Sequence, residues 1–477
     1  KTAAMLTLDL DNIRAAWHSA VDHFDINQIA RFVVPLHEFY THIGFDFELE
    51  GLLEDAQAIF KQNQTSIPQQ LDCLFKLILL DLKSGHLTAH EFEPLFKAFL
   101  QQLEDWDSKE QPLYKAKAYY YLTDTLERGE SRYDLEETAE KALQLAYAAG
   151  DQTQIGEALC TQALHHARRS KLDQAIACLD GAIKIFEKIG DIKGLARAVY
   201  TMAPTWSENG SFWKGLIYDR RAVELYEQLG YERKLANAHM GIALSYNLLG
   251  AYDKARWHGN QTLSRYRKLG IENGIHYGYC NLAETAMMEG NFDEAIPLYL
   301  RCVEYRRATK NYVRLRDEGF DAARSLWKAG RYSEALEIAE EVIQLRTKSG
   351  IEEDLDAAQI LLANIYWDLG RQDEGLALAL KVFQNDSIKK MQNPTQASYE
   401  LYRLFGRANH PNKMMVLKTA HEIVEQMASE ITEMAFLQSF LYNASDTKKL
   451  TQAFSQHNLP KIAPHVVPAQ KDPSPIS

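Results

Sequence analysis

The residues in this sequence nearest to a reactive arrangement are His86 and His90, with Glu91 beside them. Two histidines at i and i+4 could present two metal ligands on one helical face. Gly85 and Thr88 signal a helix start between them, so the pair need not share a face and no metal is assigned. His165 and His166 are adjacent and point about 100° apart on a helix, which predicts one packed and one exposed ring. Cys73, Cys160, Cys178, Cys280 and Cys302 are odd in number and scattered, with no short ligand spacing. They read as reduced core or groove thiols of a cytoplasmic protein. The sequence contains no HExxH, CxxC, GxSxG or phosphate-binding GxxxxGK[ST], so no catalytic residue and no cofactor is assigned.

The elements that would position any site repeat every 40 residues between 150 and 390. Gly150, Gly190, Gly230, Gly270 and Gly350 occupy one phase, with Lys310 in the slot that lacks glycine; Ser170, Gly210, Gly250, Gly290, Gly330 and Gly370 occupy a second. The chain has 25 glycines in 477 residues, so ten of them falling on two phases of one period is a structural signal. Segments of about 17 residues with helical apolar spacing lie between the phases, and each period reads as helix, turn, helix, turn. The fold class is therefore all-α, a solenoid of antiparallel helix pairs.

Small residues mark where the helices cross. Ala163, Ala203, Ala243, Ala283, Ala323 and Ala363 recur in the first helices, and Ala175, Gly215, Ala255, Ala295, Ala335 and Gly375 in the second. Axes can approach to about 8 Å only where no bulky side chain intervenes. Leu172, Phe212, Tyr252, Phe292 and Tyr332 stand three positions before the second small residue, with Gln372 as the exception. This pattern resembles the tetratricopeptide repeat in a 40-residue form, which implies a right-handed superhelix with the first helices lining its concave surface. Pro204 and Pro297 fall inside helices and are each expected to kink the helix or end it early.

Residues 26–149 read as less regular helix pairs, at about 26–43 with 47–62, 68–84 with 88–104, and 112–128 with 133–149. After the six repeats of 151–390 come capping helices at about 395–408, 411–428 and 432–457, as terminal repeats require. Five prolines between 459 and 477 predict an extended or disordered tail that could dock in the groove. The net charge of −12 is spread rather than clustered, which speaks against nucleic acid. No run of 18 apolar residues is present for a membrane span. A chain that starts at Lys1 without a signal-peptide core is expected to be a piece of a longer protein.

The ends carry a further resemblance. LDLDNIRAAWHSAVDH, residues 8–23, resembles the junction at which bacterial STAND signalling ATPases pass from a nucleotide-binding module to a helical sensor, and FLQSFLYN, residues 436–443, resembles the terminal helix of such sensors. The resemblance implies domains at 1–25 (junction), 26–150 (irregular repeats), 151–390 (regular repeats), 391–458 (caps) and 459–477 (tail), with an ATPase outside this chain. The candidate ligand-binding groove is the first-helix face opposite the crossing alanines: Arg197, Tyr200, Asn237, Met240, Tyr277, Glu284, Phe320, Arg324, Trp327, Asn364 and Trp367. Flat aromatic area beside directional polar groups suits recognition of a small molecule, peptide or protein. The same residues could instead pack against the next repeat. The expected function is ligand or partner sensing for a STAND-type regulator; a peptide receptor resembling the Rap proteins and an assembly scaffold are the alternatives.

Overall fold

The computed structural model describes residues 10–43, 45–84, 86–126, 133–169, 171–208, 211–349 and 352–462. Among them are 23 α-helices and no strand, so the chain is an all-α solenoid. By internal contacts it divides into two compact units, residues 1–201 with 228–231 and residues 202–227 with 232–477.

The first unit opens with α1 (Leu10–Asp22), which buries Trp17, Ala20 and Val21. The pairs α2 (Ile26–Ile43) with α3 (Asp46–Gln62), α4 (Gln69–Ser84) with α5 (Ala89–Glu104), and α6 (Gln111–Thr125) with α7 (Leu135–Ala149) follow. Thr88 caps α5: Glu91 N–H donates to its hydroxyl while the Glu91 carboxylate accepts from the Thr88 backbone N–H. His86 therefore lies outside the helix that contains His90, and it binds Glu50 at 2.8 Å instead. The regular array begins with α8 (Gln152–Arg168), α9 (Leu172–Ile189) and α10 (Ile192–Glu208), the last of which contains the unit boundary.

The second unit continues with α11 (Phe212–Leu229), α12 (Glu232–Leu248), α13 (Tyr252–Leu269), α14 (Glu272–Glu289), α15 (Phe292–Ala308), α16 (Tyr312–Lys328), α17 (Tyr332–Ser349), α18 (Glu352–Asp368) and α19 (Gln372–Gln384). Every crossing alanine is fully buried. The glycine crossings are tighter still: a Cβ on Gly375 would lie 2.6 Å from the Ala363 carbonyl oxygen, and one on Gly215 would lie 2.9 Å from that of Ala203. The described phase glycines all have positive φ, and Lys310 adopts the same left-handed conformation at φ 54°. The 40-residue frame thus imposes its turn on a residue that disfavours it. At these turns the following N–H closes back across the helix end, as Asn311 N to Arg306 O at 2.9 Å and Arg331 N to Leu326 O at 2.9 Å.

Neither proline ends its helix. α10 runs four residues past Pro204, whose ring is exposed, and α15 runs eleven past Pro297. Each proline removes a single backbone bond, and packing of the helix on its neighbours outweighs that loss. A short 3-10 turn, Ile388–Lys390, precedes α20 (Pro394–Arg407) and α21 (Lys413–Glu430). The single helix expected over 432–457 is two, α22 (Met434–Tyr442) and α23 (Ser445–Gln456), separated where Ala444 turns extended at ψ 121°. Of the proline-rich tail, Leu459 and Ile462 pack on the C-terminal core and the Pro460 carbonyl lies 2.8 Å from His421 Nε2. The rest of the tail lies outside the described residues.

Candidate functional site

The sequence-predicted groove residues divide between the units. In the first, Arg197 pairs with Glu157 and lies over the Tyr120 ring at 5.1 Å; Tyr200 is half-buried. The same unit has a cleft of about 350 Å³ lined by Glu136, Leu143, Tyr147, Gln162, His165 and His166. His165 is buried and His166 half-buried, and burial lowers the pKa of both.

In the second unit the groove residues fall into two groups. Asn237, Met240, Tyr277, Glu284, Phe320 and Trp367 keep part of their surface, whereas Arg324, Trp327 and Asn364 are buried. Trp327 donates its indole N–H to Asp368 at 2.7 Å, and Asp368 also receives Arg403 at 3.3 Å and Arg407 at 2.6 Å from α20. Arg403 lies over the Trp327 ring and Arg407 over the Trp367 ring. Asn364 donates to the Ile360 carbonyl at 2.9 Å. Arg306 and Arg314 cover Tyr277 at 4.8 and 5.0 Å, and Tyr266 bonds Asn237. The aromatic and polar mix read from the sequence is thus present, but much of it serves helix packing.

Deeper in the array is a charged cluster that only partly coincides with the expected residues. Arg324 lies 3.8 Å from Asp321 and 3.5 Å from the Met287 sulfur. Lys328 lies 3.6 Å from Asp446, which reaches in from α23, and Glu400 from α20 is buried nearby. Burial, then the like charge of Asp321, pushes the Glu284 carboxyl up to about 8. Burial also raises Asp321 and Glu400. Burial acts on Asp446 in the same sense, but Lys328, Lys449 and Arg324 together hold it below the usual range. Arg324 Nε and Glu400 Oε1 are buried without a hydrogen bond. Lys328 occupies the position five after a crossing alanine, so the repeat frame contained its signal. No local spacing announces Glu400 or Asp446, because they arrive from C-terminal helices.

Those helices reach back to the start of the unit. Phe436 of α22 stacks on Tyr246 with centroids 5.5 Å apart and sits 5.6 Å from Trp213. Lys254 and Arg220 approach the same ring at 4.7 and 5.6 Å. Arg220 donates to Glu433 at 3.2 Å and to the Tyr246 hydroxyl at 2.8 Å, while Lys214 lies 3.8 Å from Glu430. The Tyr252 hydroxyl bridges the junction of α22 and α23, donating to the Asn443 carbonyl at 3.2 Å and accepting from Ser445 N–H at 3.0 Å. Gly250 is packed so closely on Ala444 that an added Cβ would lie 2.4 Å from its nitrogen.

Among the described residues, Cys280, Cys302 and Glu318 are the cluster that could hold a metal ion. Glu318 is held at both oxygens by Arg306, each at 2.8 Å, and the Cys302 thiol donates to the His276 carbonyl at 3.4 Å. This group is satisfied as a packed ion pair beside two thiols, Cys302 buried and Cys280 half-buried.

Two tetratricopeptide-repeat family models match residues 321–349 and 357–381. No curated protein matches the chain. Among solved structures the chain is similar to a Rap protein complexed with Competence and Sporulation Factor, at TM-score 0.59 and 14% identity, covering 76% of this chain and 100% of that one. It is also similar to the Rap conjugation gene regulator of the plasmid pLS20 in complex with the Phr* peptide, at 0.50 and 14%, covering 70% and 96%. A STAND protein with a tetratricopeptide repeat sensor from Pyrococcus horikoshii matches at 0.47 and 17%, covering 70% of this chain and 52% of that one. At these identities the likeness is one of fold. The chain is an all-α solenoid carrying tetratricopeptide repeats. No helix among the described residues is long and apolar enough to cross a membrane.

Proposed function

We propose that this chain is a ligand- or partner-sensing regulatory repeat domain of a STAND-type signalling ATPase, engaged through the first-helix face of its array. The observation that carries the reading is the seating of α22 and α23 on the helices that begin the second unit. A module that holds its own C-terminal segment against its array has two states to choose between, seated and released. A ligand that binds the released state better shifts the population toward it, and only that difference in affinity does work. The resemblance of residues 8–23 and 436–443 to the two ends of STAND sensors supports an upstream ATPase as the recipient of the change.

The gene upstream of the Lys1 codon tests the STAND assignment. A nucleotide-binding module with GxxxxGK[ST] is expected there, and an in-frame stop directly upstream overturns it. The sensing role is tested by thermal stability of the chain against peptides and small polar molecules. A ligand at 100 times its dissociation constant adds about 2.7 kcal/mol, and Glu284→Gln or Met240→Ala should reduce that gain. A second reading, a free-standing peptide receptor, draws support from the Rap neighbour, whose full length this fold spans and which is complexed with Competence and Sporulation Factor.

A further inference from the structure

We infer that the face built by α11, α12 and the start of α13 is a docking surface for a short amphipathic helix from a partner protein, one bearing two phenylalanines a turn apart behind a pair of acidic residues, and that α22 is its exchangeable resident. The inference rests on the sensing role proposed above and names the partner class for it. The surface has an aromatic floor, Trp213 and Tyr246, and three cations around it, Lys214, Arg220 and Lys254. A cation above the face of an aromatic ring is attracted by its quadrupole, and here Arg220 and Lys254 both approach the Phe436 ring. The resident matches this surface in chemistry: Phe436 and Phe440 project from one side of α22, and Glu430 and Glu433 precede them to meet Lys214 and Arg220.

Several features make the resident replaceable. α22 has nine residues, too few to hold a helix on its own, and no side chain caps its N-terminus; its last carbonyls are held from outside, Leu441 by the Thr451 hydroxyl at 3.2 Å and Asn443 by that of Tyr252. It keeps Met434 48% and Tyr442 61% exposed, so the seat covers one side only. The ion pair at its start, Arg220 with Glu433, is partly open to water and contributes little, and the neighbouring Lys214–Glu430 pair is made by the end of α21. An incoming helix of the same pattern but greater length would carry its own helical stability and displace α22 by mass action.

The test uses the whole chain and a fluorescein-labelled peptide of residues 429–444 as the probe. Phe436→Ala with Phe440→Ala vacates the seat, and Glu433→Arg, which alters only a half-exposed pair, serves as a second variant should the first fail to fold. The peptide is expected to bind the vacated chain roughly tenfold or more tighter than the unaltered chain, and the Glu433→Arg chain several-fold tighter. Adding Arg220→Glu should abolish that binding, and a peptide carrying Glu433→Arg should restore it. Equal binding to all chains, or none to either variant, overturns the inference. Concentration-dependent dimers of the unaltered chain in sedimentation also overturn it, because the seat then belongs to a second copy's α22. Failure here leaves the sensing role standing, since the stability screen does not depend on which helix occupies the seat.

Discussion

The array around α14 to α16 and the seat of α22 are both well packed, but by different means. In the array, fully buried alanines let helices cross closely, and Arg306, itself fully buried, grips Glu318 with two bonds of 2.8 Å. In the seat, aromatic rings lie between cations, and ion pairs of 3.2 and 3.8 Å remain partly open to water. Close backbone approach, in the array and at the Gly250–Ala444 contact that ends the seat, tolerates almost no change of side-chain volume, whereas ring and cation contacts can be remade by another partner of similar chemistry. One region is therefore built to persist and the other to exchange.

The largest expected effect tests the persistent region. Arg306→Ala strands Glu318 as an uncompensated buried charge and should cost about 3–5 kcal/mol in urea unfolding, while Arg306→Met with Glu318→Leu should cost far less. A single-variant loss below about 1 kcal/mol would mean that the pair does not hold the array. Next, Ala283→Leu overpacks a crossing and should destabilise by about 1–3 kcal/mol; an unchanged melting temperature removes the crossing from the account. Phe436→Ala sharpens the contrast: amide exchange should accelerate over residues 434–456 much more than over α14 to α16. Uniform acceleration would show that the seat is part of one cooperative unit.

The pH dependence of stability is a subtler test. The Glu284 carboxyl keeps its proton to about 8 in the folded chain, whereas the unfolded chain releases it near the ordinary carboxylate value. Between those values unfolding releases a proton, so this group makes stability fall as pH rises. Glu284→Gln should therefore stabilise the chain at pH 9 relative to the parent and make little difference at pH 4; a pH-independent offset would place the carboxyl elsewhere. The smallest effect is at Lys310. Lys310→Gly relieves a left-handed residue but frees the unfolded chain, for a net gain of some tenths to about 1 kcal/mol, while Gly290→Ala at the equivalent conformation should lose about 1 kcal/mol.

The legible part of the molecule was the part coded by short-range regularity. Glycine spacing located the turns and marked Lys310 as the slot without glycine, where the structure shows φ 54°. The alanine column located the crossings, and Thr88 located the start of α5. The candidate groove was read from the same frame, which assigns a face to each position but not what covers it. Arg324, Trp327 and Asn364 are covered by neighbouring side chains, and Glu400 and Asp446 complete the charged cluster from outside the repeats. Arg220 and Glu433 are 213 positions apart, and no periodicity links them. The break between α22 and α23 was missed because no periodicity marks it: the Ala444 N–H closes back on the Ser439 carbonyl at 3.0 Å, and Tyr252 and Gly250 hold the chain there from far away in sequence.

The seating of α22 also has a mechanical consequence. Contacts between residues about 190 to 210 positions apart tie the C-terminal helices of the second unit back to its first ones, so tension applied at Gln456 meets the contacts of Asp446 with Lys328, of Ser445 with Tyr252 and of Phe436 with Tyr246 before it reaches the crossings between the repeat helices. Such a clasp peels open one contact at a time, at low force, while the helix pairs behind it still bear load together. A pull on the carboxyl end would therefore open the docking face first and leave the array folded to receive whatever binds there.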